Sequence, residues 1–263
     1  MPEITVTEPS PGVVLATLDR PERLNALTPE MFVELHELAT RLASDASARV
    51  LVLTGAGRGF CSGYDLALAR DLPVMTAMQM FSLQESAAAS FAAIRELPIP
   101  VIAAVNGPAA GGGLALALAA DIRIAAPSAS FVAAFVTIGL SAGDLGTSWL
   151  LPRAVGPSVA AEIVYTGRRV DADEAERIHL VNRIVESDAL LDDALALAER
   201  IAANSPQGVR FSKRALQANL EIGSFRQAME LENRGQALLT RTADMAEALD
   251  AYLNKRTPRF TGQ

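Results

Sequence analysis

Two hydrophobic periods alternate along the chain. Val13-Val14-Leu15-Ala16-Thr17-Leu18 is a β-branched run of strand length, and Arg49-Val50-Leu51-Val52-Leu53-Thr54 is a continuous apolar run, the pattern of a strand covered on both faces. Between them Thr28-Pro29-Glu30 marks a helix start, with Thr28 as N-cap and Pro29 in the first turn. Phe32, Leu35, Leu38, Ala39 and Leu42 then share one helical face. A long helical pattern from about Val74 to Leu97 precedes Pro98-Ile99-Pro100 and the strand Val101–Val105. Gly111-Gly112-Gly113 feeds an alanine-rich helix ending near Asp121, and Ile122–Ala125 is the next short strand. Strand, loop, helix and strand in repetition predict an α/β layered fold. From about Asp144 the strand signal stops and helical periodicity takes over, in segments near 157–165, 171–177, 189–203, 206–221 and 224–254. No linker-like stretch precedes this region. The sequence therefore predicts a single domain with a core over residues 1–200 and a helical extension over 201–263.

The uncharged stretch from Ile99 to Ala120 is long enough for a membrane span, but Asn106-Gly107-Pro108 and the three glycines interrupt it. It reads better as a buried strand, a loop and a core helix, with no membrane contact. At 263 residues with half of them apolar, a large core can form. A net charge of −7 argues against a nucleic-acid partner bound through a basic face. A lone Cys61 cannot form an internal disulfide, and the N-terminal MPEITVTEPSPG has no leader pattern, so the expected compartment is the cytoplasm.

Several motifs suggest chemistry and then fall short of it. Gly55-Ala56-Gly57-Arg58-Gly59-Phe60 follows a strand as a dinucleotide loop does, yet Phe60 stands at the third glycine position and no helix opens there. A P-loop fails because the only lysines are Lys213 and Lys255. Gly139-Leu140-Ser141-Ala142-Gly143 matches a nucleophile elbow, with Asp171, Asp173 and His179 following in the order a serine hydrolase uses. That alternative asks three residues from one helical region to converge without strands to carry them. His36 and His179 with one cysteine do not make a zinc site, so no metal is expected.

Two glycine-containing loops remain, each after a buried strand: Phe60-Cys61-Ser62-Gly63-Tyr64-Asp65-Leu66 and Asn106-Gly107-Pro108-Ala109-Ala110-Gly111-Gly112-Gly113. Such loops can each aim one backbone N–H at the same oxygen, and the second also opens a helix whose dipole favours negative charge there. That arrangement is an oxyanion hole.

At these loops, and at Arg20-Pro21-Glu22-Arg23-Leu24-Asn25-Ala26-Leu27, Val52-Leu53-Thr54-Gly55, Pro100 to Gly107 and Leu151-Pro152-Arg153-Ala154-Val155-Gly156, the sequence resembles the crotonase (enoyl-CoA hydratase/isomerase) superfamily. The likeness runs through nearly the whole chain. It implies a crotonase-like spiral of β-β-α units with a C-terminal helical trimerisation region, assembled as a homotrimer or dimer of trimers. It also implies an acyl-CoA thioester as substrate, whose coenzyme A is part of the substrate, with no separate cofactor. Carried over by position, the oxyanion donors are the N–H groups of Tyr64 and Gly112. Arg23, Ala26, Leu27, Gly63, Asp65 and Leu66 line the CoA site, with Lys255 as a further phosphate contact.

The sequence departs from the superfamily's hydratases at both glutamates that add water to a double bond. The matching positions are Ala115 and Phe135, which cannot transfer a proton and suggest an acyl-pocket wall. One acid remains nearby, Asp144, which resembles the aspartate that some isomerases of the superfamily place beside the acyl chain. The expected reaction is double-bond isomerisation of an enoyl-CoA with Asp144 as catalytic proton shuttle. The alternatives are a hydratase with a non-standard acid, an acyl-CoA binder without chemistry, and Asp144 as a plain helix N-cap.

Overall fold

The computed structural model describes residues 2–263. A six-stranded sheet is built from β1 (Ile4–Ser10), β2 (Val13–Leu18), β3 (Val50–Gly55), β4 (Val101–Val105), β6 (Ile122–Ala125) and β9 (Arg183–Ile184), in that spatial order. Only β1 and β2 pair antiparallel; the rest are parallel. A smaller sheet joins β5 (Pro108–Ala110), β7 (Ser130–Val132) and β8 (Arg169–Asp171), leaving β4 and β5 separated by a bend at Asn106-Gly107.

Helices explain why the central strands read as unbroken apolar runs. Leu51 and Leu53 of β3 and Val101, Ala103 and Val105 of β4 face a large core, which includes α1 (Pro29–Ser44) and α3 (Ala77–Arg95). Val50, Val52, Ile102 and Ala104 point the other way, against Leu190, Ala194 and Ala198 of α8 (Leu190–Ala202). With both faces dry, alternate polar positions have no place in these strands. Thr28 caps α1 as its sequence promised, accepting from the Met31 N–H at 3.1 Å, with Pro29 following. All eight residues of α4 (Gly112–Ala119) are buried, which is why this helix lacks a polar face.

The C-terminal part departs from the all-helical expectation. After α5 (Thr147–Val155) and α6 (Pro157–Thr166), β8 precedes α7 (Ala172–Arg177) and β9 follows it, strands of three and two residues paired with β7 and β6. Strands this short leave no periodicity to read, and their partners lie far back in the sequence. The predicted helix from Val74 to Leu97 is shorter, because Leu72–Val74 form a separate 3-10 turn and a Thr76–Gln79 capping box opens α3. The 224–254 pattern divides into α10 (Phe225–Leu239) and α11 (Ala243–Leu253), with Thr242 capping the second. No helix among the described residues is long and apolar enough to cross a membrane. The Ile99 to Ala120 stretch is strand, bend and buried helix, as its glycines and proline indicated.

Candidate active site

The glycine loop after β3 is clamped by two asparagine side chains. Fully buried Asn25 donates from Nδ2 to the carbonyls of Ala56 and Gly59 at 3.0 and 2.8 Å, and its Oδ1 accepts from the Arg20 N–H at 2.9 Å. Asn106 donates to the Gly55 and Gly57 carbonyls at 2.8 and 3.0 Å. The carbonyls of this loop thus turn toward two amide side chains, where a phosphate cradle would turn N–H groups. Asn25 has a φ of 56°, a left-handed conformation that asparagine tolerates better than most residues.

Past the clamp, the two candidate oxyanion loops are stitched together by their backbones. Cys61 donates to the Pro108 carbonyl at 3.1 Å and accepts from Ala110 at 3.0 Å, while Leu27 donates to Gly63 at 2.8 Å and accepts from Asp65 at 2.9 Å. A methyl on Gly63 would lie 2.7 Å from the Ala110 carbonyl oxygen and 3.4 Å from the Gly112 nitrogen. The N–H groups of Tyr64 and Gly112 donate to no acceptor among the described residues. Gly112 is also the first residue of α4, so the helix dipole adds partial positive charge at this point.

The residues proposed to line a CoA site divide into walls and fastenings. Ala26, Leu27 and Gly63 are buried beside the loops, whereas Arg23 and Leu66 are exposed. Asp65 is turned inward: its carboxylate accepts from the Ala67 N–H at 2.9 Å and pairs with Arg20 at 3.0 Å. The Ala67 N–H and the Arg20 guanidinium hold its carboxyl below the usual range. Arg20, whose side chain the sequence reading left unassigned, also pairs with Glu3 at 3.0 Å and donates to the Ala26 carbonyl, so that with its Asp65 pair it ties the Arg23–Leu27 stretch to the first loop. The Tyr64 ring stacks on Phe32 of α1, centroids 6.2 Å apart. Lys255 is exposed in a left-handed turn beyond α11 and joins none of the contacts that build the site.

Asp144 is brought in through its neighbour. The Cδ1 of Leu145 lies 3.4 Å from where a Cβ on Gly112 would stand, so the residue after Asp144 packs against the oxyanion loop itself. The carboxylate accepts a hydrogen bond from the Nε2 of Gln84, on α3. Burial pushes its pKa up from the ordinary carboxylate value, while the Gln84 amide and the Leu145 N–H pull it partly back. The plain N-cap alternative is not what forms: Gly146 caps α5, and Asp144 contributes only its carbonyl, accepting from Thr147 at 2.8 Å.

Other expectations find their places. Ser141 lies in an exposed loop after a 3-10 turn, its Oγ accepting from Gly143 at 3.0 Å, so no strand-to-helix elbow presents it. His179 is an exposed turn residue with φ 63°, and His36 is exposed on α1. The serine hydrolase alternative has no geometry behind it. Ala115, in α4, is fully buried and Phe135 nearly so. Neither lines a cavity of about 800 Å³ that is walled by Ala88, Phe91 and Arg95 of α3, Leu145 and Trp149 beside and within α5, and Phe211 of α9 (Pro206–Asn219). Gln84, Ala88, Phe91 and Arg95 follow helical spacing on α3, so the cavity runs along the helix face that also holds Asp144.

Sequence and structure comparisons show the family. The family described as enoyl-CoA hydratase/isomerase matches residues 8–263. The chain belongs to the enoyl-CoA hydratase/isomerase family. A probable enoyl-CoA hydratase of Mycobacterium tuberculosis is 45% identical over 98% of this chain and 92% of its own length. A putative enoyl-CoA hydratase of Streptomyces coelicolor superposes with a TM-score of 0.95 at 39% identity, covering 99% of this chain and 94% of that one. A monofunctional enoyl-CoA isomerase of Mycobacterium smegmatis, 45% identical, covers 87% of this chain and 99% of its own with a TM-score of 0.74. This family member is therefore an enzyme with the crotonase fold, and its relatives carry the names of two reactions.

Proposed function

We propose that this enzyme is an enoyl-CoA double-bond isomerase in which Asp144 moves the proton and the N–H groups of Tyr64 and Gly112 hold the thioester oxygen. The observation that carries the reading is the packing at Gly112: Gly63, the residue before Tyr64, and Leu145, the residue after Asp144, both lie against it, and the N–H groups of Tyr64 and Gly112 have no acceptor among the described residues. In a 3-enoyl-CoA, ionised Asp144 takes a proton from C2, and the electron pair moves into the conjugated enolate, placing negative charge on the thioester oxygen. Each fixed N–H donor stabilises that charge by about 3–4 kcal/mol. The same carboxyl then returns its proton to C4, leaving the 2,3 double bond. A raised pKa makes the carboxylate a better base toward C2 than an ordinary aspartate. The acyl tail extends along α3 into the cavity beyond Leu145, and the Arg23–Leu27 stretch and the Gly63–Leu66 loop meet the coenzyme.

The names of the M. tuberculosis and S. coelicolor relatives favour a second reading, hydration with Asp144 and water. Purified protein incubated separately with a 3-enoyl-CoA and a 2-enoyl-CoA distinguishes them by product mass. The expected result is an isomer of unchanged mass that disappears with Asp144→Asn. A gain of one water with the 2-enoyl substrate replaces isomerisation by hydration, and full turnover by Asp144→Asn removes the proton-shuttle role.

Residues 201–263 are proposed to carry trimer contacts. Phe225 and Tyr252 are 82% and 83% exposed and α10 buries no residue, an outlay of apolar surface that a second subunit would cover.

A further inference from the structure

Asp144 lies on a segment with little regular structure to hold it. Leu145 and Gly146 both have positive φ, 47° and 78°, and α5 begins only at Thr147. The position of a side chain here has to be fixed from outside the segment. Gln84 does so from α3, sixty residues away in sequence, donating from its Nε2 to one carboxylate oxygen of Asp144. Its own place is firm, on a helix opened by a capping box and anchored in the core through Ala87, Phe91 and Ile94.

We propose that Gln84 is a positioning residue for the isomerisation, its side-chain amide holding one oxygen of Asp144 so that the other is aimed at the substrate carbons between which the proton moves. The inference rests on the assignment of Asp144 as the proton carrier. The chemistry of the partner is what gives it force. A shuttle must alternate between a carboxylate and a carboxylic acid, so a partner of fixed charge would freeze one form: a guanidinium the ionised one, a second carboxylate the protonated one. A primary amide carries no charge, and it has a donor for the carboxylate and a carbonyl oxygen that can accept from the acid.

The charged groups around Asp144 leave that neutrality intact. On α3, Glu85 is exposed and Arg95 lies three turns further along, at the cavity and 5.5 Å from the Trp149 ring centroid. On α5, the Arg153 guanidinium lies over the same ring at 3.7 Å. None of the three acts on the Asp144 carboxyl, whose surroundings are burial, the Gln84 amide and the Leu145 N–H.

The test is a pH series of steady-state rates on a 3-enoyl-CoA for wild type, Gln84→Met, Gln84→Glu and Asp144→Asn. Gln84 is exposed on its helix, so the variants keep the fold, which melting curves check. Hydrogen bonds to charged groups justify an expected fall in kcat of about tenfold or more for Gln84→Met, with KM little changed. Without the donor the carboxylate is less stabilised, so the acidic limb of the kcat profile moves to higher pH. Gln84→Glu moves it the same way through like-charge repulsion. If Gln84→Met keeps the wild-type kcat and limb while Asp144→Asn is inactive, the positioning role is wrong and the proton carrier stands. Equal loss in kcat and thermal stability with an unmoved limb also overturns it, as a purely structural effect. Full turnover by Asp144→Asn removes both assignments together.

Discussion

Adjacent glycines at the head of α4 carry different burdens, and substitution separates them. A methyl on Gly113 would sit 1.9 Å from the Cys61 carbonyl oxygen, backbone that cannot yield without parting the two loops. Gly113→Ala is expected to destabilise the protein by about 3 kcal/mol, measured by urea denaturation. At Gly112 the methyl meets the tip of Leu27 at 2.8 Å and that of Leu145 at 3.4 Å, ends of side chains that can move. Gly112→Ala should fold and lose turnover, because what shifts is the packing that brings Asp144 to the hole. Cys61 provides a second check at this scale: burial raises its thiol to about 12, so a thiol reagent at pH 8 should leave the native protein unlabelled and react once denaturant is added. The two glycine loops that the backbone stitches together were legible from glycine spacing together with the family motifs. Gln84 was not, because a polar residue on an exposed helix face looks the same in sequence whether it meets water or a carboxylate from sixty residues away. Asn25 and Asn106 were quoted only within motifs, since their work is to satisfy carbonyls that only the folded loop creates.

Among the elements, α9 is fastened to the core by one buried ion pair. The Nζ of Lys213 lies 2.7 Å from Asp121 and 2.9 Å from the Ile99 carbonyl, joining the helix to the ends of β4 and α4. Lys213→Met leaves Asp121 without its cation and should cost about 3 kcal/mol by denaturant unfolding. Beyond it, buried Asp244 accepts from Ser205 at 2.9 Å and from the N–H groups of Thr261 and Gly262, pinning the C-terminal tail to α9 and α11. Nearby, hydrogen bonds from Arg256 and from the Arg259 N–H hold Glu247 down at about 2. Since its folded pKa is depressed, its contribution to tail docking is present above the ordinary glutamate range and fades as pH falls toward about 2. The protection of the Arg259 amide against exchange, relative to an unfolded amide at the same pH, should fall across that window. Capped helices such as α1 could be placed from their first three residues. β8 and β9 could not, because the pairing that makes them strands comes from β7 and β6.

For the molecule as a whole, the sequence conveyed the layered core because strands dry on both faces leave an unmistakable apolar signature. It conveyed less of the periphery, where Phe225, Leu238, Tyr252 and Leu253 stand exposed on the last two helices. Sedimentation should find a trimer or a multiple of it, and paired Phe225→Asp and Tyr252→Asp substitutions should shift the mass toward one chain. A monomer in the unsubstituted protein would leave those side chains without the partner proposed for them. The division of labour at the junction has a consequence for heredity. In the proposed mechanism the groups that stabilise charge are main-chain N–H groups, and nineteen of the twenty encoded amino acids supply one; at codons 64 and 112 only a change to proline deletes the donor itself. The group proposed to move the proton, Asp144, is a side chain, erased by a single missense change. A lineage built this way could exchange its reaction while keeping its grip on the thioester, and two relatives that each share 45% of their residues with this chain bear the names of different enzymes.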